Sequence, residues 1–232
     1  MKVVSAFPGA RVVDSLPFSQ GGTAEQARKL VSSGVEGFVG YLGAMNPARL
    51  SYVLDAGLAF MPVTFAGEYK DGAADEIAQL TALGIPRGVT VWLDLEGIEA
   101  WNTPPNELIR LINSWAFDIK SSGWMPGLYV GAPQPLTGKQ LYSLGVVRYW
   151  LGIGRAVAKL TPDQAAKLAA LTGSSQLDAY PDCGWCMRQD WHGNPVPGRP
   201  GGQLWKDTGV FVDVNQVQAD HQGRLPAWVV AG

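Results

Sequence analysis

The sequence predicts an α/β protein, a single irregular (β/α)8 barrel of the TIM type spanning residues 1–232. Three observations carry that expectation. The chain has 232 residues, close to the about 250 of one such barrel. Short apolar runs alternate with amphipathic segments, the signature of β/α units. One strand, Val89–Glu96, ends in two carboxylates on its polar face, at the strand end where barrel enzymes keep their chemistry.

Strands are expected at Val12–Ser15, Gly37–Leu42, Phe60–Phe65, Val89–Glu96, Gly127–Gly131, Val147–Ile153, Ser175–Ala179 and Gln203–Val214, the last broken by a turn at Asp207-Thr208-Gly209. Helices are expected at Thr23–Ser33, Pro47–Ala56, Ala73–Leu83, Pro104–Ser122, Gly138–Leu144 and Pro162–Leu171. Thr23 and Gln26 have the spacing of a capping box. Asn46 before Pro47 suits an N-cap with proline at the first helical position, and Thr161-Pro162 repeats the signal. Gly34, Gly57, Gly84 and Gly123 each follow a helical segment, where a left-handed residue closes the last turn. An open doubly wound sheet is the alternative, but no G-x-G-x-x-G follows the first strand. Pro181–Gly202, rich in Gly, Pro and Trp, reads as one long loop before the last strand.

Hydrophobic residues make up 47% of the chain and charged ones 16%, enough for a large core and too apolar for disorder. A net charge of −2 without a basic block argues against a nucleic-acid partner and against attraction to anionic membranes. No window approaches the roughly 18 apolar residues of a membrane span, so no membrane insertion is expected. Met1–Ala6 is too short an apolar run for a secretory leader, with Pro8 and Arg11 following. The expectation is synthesis in the cytoplasm, with other machinery giving access to any substrate outside. A monomer is expected, with no cofactor and no metal. Cys183 and Cys186 form an isolated C-x-x-C, which leaves free thiols, a local disulfide and a zinc site all open. Nine Trp and seven Tyr serve either core packing or stacking on sugar rings.

The strand Val89-Thr90-Val91-Trp92-Leu93-Asp94-Leu95-Glu96 is the most informative segment. Side chains alternate along a strand, so Thr90, Trp92, Asp94 and Glu96 share one face, which in a barrel points inward. Asp94 and Glu96 are then roughly 6.6 Å apart along the backbone. Two carboxyls that close repel, which favours one protonated acid beside one anion, the pairing that glycosidic cleavage uses. Asp14 ends the first strand and Asp213 lies in the last. First and last strands are neighbours in a closed barrel, so both acids are expected at the same mouth. Phosphate chemistry with a metal could use such a cluster, but no histidine lies nearby.

Asp14, the D-x-E of Trp92–Glu96, the Gly127-Leu128-Tyr129-Val130 strand and the closing Gln203-Leu204-Trp205 with Val212-Asp213-Val214-Asn215 together resemble the family 25 glycoside hydrolases, the Chalaropsis-type lysozymes. In style they are nearest to the related glycoside hydrolase-like, or Rv2525c-like, domains. The resemblance runs from about Arg11 to about Val217. It implies cleavage of the β-1,4 bond between N-acetylmuramic acid and N-acetylglucosamine in peptidoglycan. It implies Glu96 as general acid and Asp94 as an aid to the reacting centre, with Asp14 and Asp213 completing the acidic cluster. Tyr129, Trp205 and Trp92 become sugar-contacting candidates. The first motif departs from the family's usual Gly-aromatic-Asp pattern, since Val12 and Val13 precede Asp14, and Ala179–Gly202 has no counterpart in it. A phage endolysin released through a holin, or cargo of an injection machine, fits the expected synthesis in the cytoplasm. The alternatives are a barrel that binds glycan without turnover and a hydrolase of another polysaccharide.

Overall fold

The computed structural model describes residues 1–65, 72–95, 103–131, 136–152, 184–191 and 200–232. The elements in them are β1 (Lys2–Ser5), β2 (Arg11–Asp14), α1 (Leu16–Gly21), α2 (Ala24–Ser32), β3 (Gly37–Tyr41), α3 (Pro47–Asp55), β4 (Ala59–Phe65), α4 (Ala74–Ala82), β5 (Thr90–Asp94), α5 (Pro105–Ser121), β6 (Met125–Val130), α6 (Gly138–Tyr142), β7 (Arg148–Gly152), β8 (Met187–Trp191), α7 (Pro200–Thr208), β9 (Asp213–Val217) and β10 (Ala227–Val230).

Strands β2 to β9 follow one another around a closed ring, β9 pairing back onto β2 and β4 onto β5. This is the eight-stranded β/α barrel the sequence predicts. Neighbours from β2 through β8 are parallel. β9 departs from the parallel expectation, running antiparallel to both β8 and β2. The reversal means that the start of β9, not its end, lies beside the C-terminal end of β2, so Asp213 pairs with Asp14. A parallel strand would carry Asp213 to the opposite end of the barrel.

The local chemistry behaves as the sequence implies. Thr23 and Gln26 form the reciprocal capping box of α2, and Asn46 accepts from the Arg49 N–H at 2.9 Å to start α3. Gly34 and Gly84 follow α2 and α4 with φ of 80° and 69°, a conformation side chains with a Cβ resist. Three readings need correction. Gln203–Thr208 is helical, within α7, because Pro200 suits a first turn and the chain turns out of the helix only at Gly209, with φ of 72°. The expected loop Pro181–Gly202 contains β8, whose inward positions include the polar Gln189 and so lack a run of apolar residues. α1 arises unforeseen where the Ser15 hydroxyl caps Phe18 N–H and Pro17 opens the first turn. The expected helix Pro162–Leu171 and strand Ser175–Ala179 lie outside the described residues.

Two apolar layers follow from strand alternation. Val13, Phe38, Phe60, Val91, Leu93, Leu128 and Leu151 face the helices. Val12, Val39, Met61, Trp92, Tyr129, Trp150, Cys186 and Met187 fill the barrel. β1 and β10 form an antiparallel pair outside the ring, and Val229 pairs with Phe60 near the start of β4. Trp228 thereby closes the floor. Its ring lies about where a Cβ on Gly37 would stand, 2.9 Å away, so glycine at the start of β3 makes room for it.

Cys186 is a free thiol, fully buried in the barrel and bonded to the Tyr149 carbonyl at 3.5 Å. Of the three readings left open for the C-x-x-C, the free thiol holds for Cys186, and Cys183 lies outside the described residues. Burial pushes the Cys186 thiol up to about 12, so it has almost no thiolate at neutral pH. Native protein treated with iodoacetamide at pH 7.5 is expected to leave Cys186 unmodified in a peptide map, with full labelling after denaturation. Fast labelling of Cys186 in native protein would contradict its burial. The same shift favours the folded state below about pH 9, and that stability is lost as pH rises toward 12, because the unfolded thiol ionises first.

Candidate active site

The barrel mouth is assembled by one repeated rule. The last inward position of each of several strands carries a polar or aromatic side chain: Asp14 on β2, Tyr41 on β3, Phe65 on β4, Asp94 on β5 and Tyr129 on β6. Asp94 stands level with Phe65 on one side and Tyr129 on the other, and Tyr129 level with Trp150 of β7. Inward orientation of Asp94 follows from Trp92 two residues earlier, which lies in the inner layer while Val91 and Leu93 lie in the outer.

Asp14 and Asp213 are directly opposed on β2 and β9, which places their Cβ atoms about 4.5–5.5 Å apart. Both line a pocket of about 220 Å³ with Ser15, Pro17, Tyr41 and Phe211. Tyr41 is also a wall of a second pocket, about 180 Å³, shared with Gln20, Thr64 and Phe65. Its ring stacks on Phe65 at 4.6 Å, and its hydroxyl donates to Asp94 Oδ2 across a long 3.5 Å. Tyr41 therefore connects the Asp14–Asp213 pocket to Asp94. Asp14 and Asp94 are 5% and 3% exposed, so both carboxyls sit recessed in the mouth, where electrostatic effects are larger than in open water.

Beneath the acids runs a buried polar network. Asn215 donates from Nδ2 to Asp14 Oδ1 at 2.7 Å, and its Oδ1 accepts from the Trp150 indole at 2.9 Å. Tyr129 donates its hydroxyl to Gln189 Oε1 at 2.8 Å. At the rim, the Ser15 hydroxyl donates to the Phe211 carbonyl at 2.5 Å, which ties the segment before β9 to the end of β2.

The residues singled out from sequence are placed as follows. Asp14, Asp94 and Asp213 are at the mouth. Tyr129 is there too, although 3% exposed and engaged with Gln189. Trp205 is on α7 rather than on a strand, half-buried, with its ring 5.4 Å from Phe211. Trp92 needs correcting as a sugar contact: it is 0% exposed and packs edge-on against Trp150 at 5.7 Å inside the barrel, so it presents no surface to a ligand. Glu96 lies outside the described residues. Tyr41 at the mouth, and Gln189 and Asn215 in the network beneath it, are absent from the residues that the sequence points to. Tyr41 was findable, because it holds the same terminal inward position on β3 that Asp14 and Asp94 hold on their strands. Among the described residues no group of three or more His, Cys, Asp and Glu side chains is placed to hold a metal, and no helix is long and apolar enough to cross a membrane.

An eight-stranded β/α barrel with recessed carboxylates at its mouth thus defines the class of this protein. No protein-family model and no curated protein matches the sequence. Solved structures do share the fold. One is an uncharacterized protein of B. stearothermophilus, with a TM-score of 0.56, 15% identity, and coverage of 90% of this chain and 96% of that one. Another is the Mycobacterium tuberculosis Tat-secreted protein Rv2525c, solved with L-tartrate, with a TM-score of 0.54, 15% identity, and coverage of 90% and 95%. A bacterial lysozyme from Streptomyces coelicolor matches with a TM-score of 0.54 and 12% identity over 91% of this chain and 93% of its own. At such identities the likeness is one of fold alone.

Proposed function

We propose that this protein is a glycoside hydrolase of the lysozyme kind, cleaving the β-1,4 bond between N-acetylmuramic acid and N-acetylglucosamine in peptidoglycan. The observation that carries the reading is the gathering of Asp14, Asp94 and Asp213 around Tyr41 at the mouth of the barrel. Glycoside cleavage passes through a positively charged, oxocarbenium-like state, and recessed carboxylates stabilise such charge. In this proposal Glu96, two positions beyond Asp94 in the sequence, protonates the leaving oxygen. Asp94 orients the acetamido group of the reacting sugar, and Asp14 with Asp213 supplies negative charge on the other side. Trp205 and the exposed Phe211 form an apolar platform beside the pocket for a sugar face. Access to the wall comes from phage lysis or an injection device.

Incubation with purified peptidoglycan, followed by borohydride reduction and mass spectrometry of the fragments, tests the reading. Fragments ending in reduced N-acetylmuramic acid are the expected result. Fragments ending in reduced N-acetylglucosamine would overturn the bond assignment. Saturable glycan binding without new reducing ends would make the protein a binding module instead.

A further inference from the structure

We infer that Asn215 is a positioning residue for Asp14, held in a single orientation by the indole of Trp150. The side chain of asparagine is a donor at one end and an acceptor at the other, and a half-turn exchanges them. At most positions either orientation finds partners. At Asn215 the two ends face groups of opposite character, and the indole's is fixed. The Trp150 indole nitrogen, 2.9 Å from Oδ1, can only donate, and Asp14 Oδ1, 2.7 Å from Nδ2, accepts. The half-turned amide would set donor against donor and acceptor against acceptor. It would do so at a side chain that is 0% exposed, where no solvent relieves the mismatch.

The anchor of the chain is itself closely packed and 2% exposed. Trp150 is wedged between the rings of Trp92, at 5.7 Å, and Tyr129, at 4.5 Å. The side-chain amide nitrogen of Asn215 also lies 3.5 Å from the backbone carbonyl of Asp213, so the donor end faces the acid on β2 and the main chain of β9. Three strands, β7, β9 and β2, are thus joined by one directed line of hydrogen bonds that ends on a carboxylate at the mouth. The line fixes where Asp14 Oδ1 stands. Its consequence for turnover rests on the hydrolase reading above, whereas the lock itself does not.

Side-chain amide resonances of ¹⁵N-labelled protein test the lock without any substrate. Asp14→Ala is expected to move the Asn215 amide pair, and Trp150→Phe, which removes the indole donor but keeps a ring, is expected to broaden or split it. An Asn215 pair unchanged by Trp150→Phe overturns the proposal. In glycan cleavage, Asn215→Leu and Trp150→Phe are expected to lower kcat about 10²-fold with KM changed less than about threefold, since positioning acts on the reacting geometry rather than on binding. An equal rise in KM with kcat intact, in a variant with native near-ultraviolet dichroism, would mean that the line serves binding or packing and would also overturn it. A wild-type protein that cleaves no glycan removes the hydrolase reading alone, and the resonances then decide the lock.

Discussion

Replacing Glu96 with glutamine is expected to slow glycan cleavage about 10²–10⁴-fold while the protein stays folded. Glutamine has nearly the shape of glutamate and cannot give up a proton to a leaving oxygen. Glu96 is chosen from the sequence pattern: Trp92 and Asp94 share one parity, and residue 96 is the next position of that parity. Asp94→Asn serves as its companion. It keeps the recessed shape and removes the charge, so it is expected to weaken the same step by a smaller factor and to leave Glu96→Gln with little further to lose when combined. Initial rates of reducing-end release, with melting curves alongside, read both variants. Glu96→Gln protein that cleaves at the wild-type rate would remove Glu96 from the reaction.

Trp150→Ala is expected to be the most damaging change to stability at the site, costing about 3–5 kcal/mol. Trp150 is 2% exposed and fills the barrel between Trp92 and Tyr129. Its removal leaves a large cavity in a layer that cannot collapse inward, because the strands around it are hydrogen-bonded into a ring. It also strands the Asn215 oxygen, a buried acceptor whose unmet bond adds roughly 1–3 kcal/mol. Trp150→Phe keeps most of the volume and should cost distinctly less. Urea unfolding followed by tryptophan fluorescence measures the difference. A loss below about 1 kcal/mol for Trp150→Ala would mean that the barrel interior repacks freely, contrary to the closed ring described above.

Much of this was legible in the chain itself, because alternation is a strong signal where one face is apolar. The Val89–Leu95 set and the Trp92–Asp94 set are separated in the structure as the pattern requires. Asp14 and Asp213 were also readable as partners, since first and last staves must meet. What the pattern could not convey was direction. Gln203–Val214 has the apolar content of a strand, but Leu204 and Trp205 belong to a helix and only Asp213 and Val214 to β9. β8 escaped notice because barrel interiors near a mouth are polar: Gln189 faces inward to bond Tyr129, and a strand with polar residues on its inner side loses its hydrophobic period. Trp92 misled for the complementary reason. Parity assigns a side but not a depth, and one layer below Asp94 the barrel is closed core.

The reversed stave has a consequence for how the protein comes to exist. Asn215 and Asp14 touch across 201 positions of sequence, and the ring cannot close before the segment carrying β9 has been synthesised and turned back between β2 and β8. A partly made chain emerging from the ribosome therefore has no assembled acidic mouth, however many of its helices have formed. Acquisition of the site waits on a contact between residues 201 positions apart, and such distant pairings form slowly, so competence should appear late and all at once.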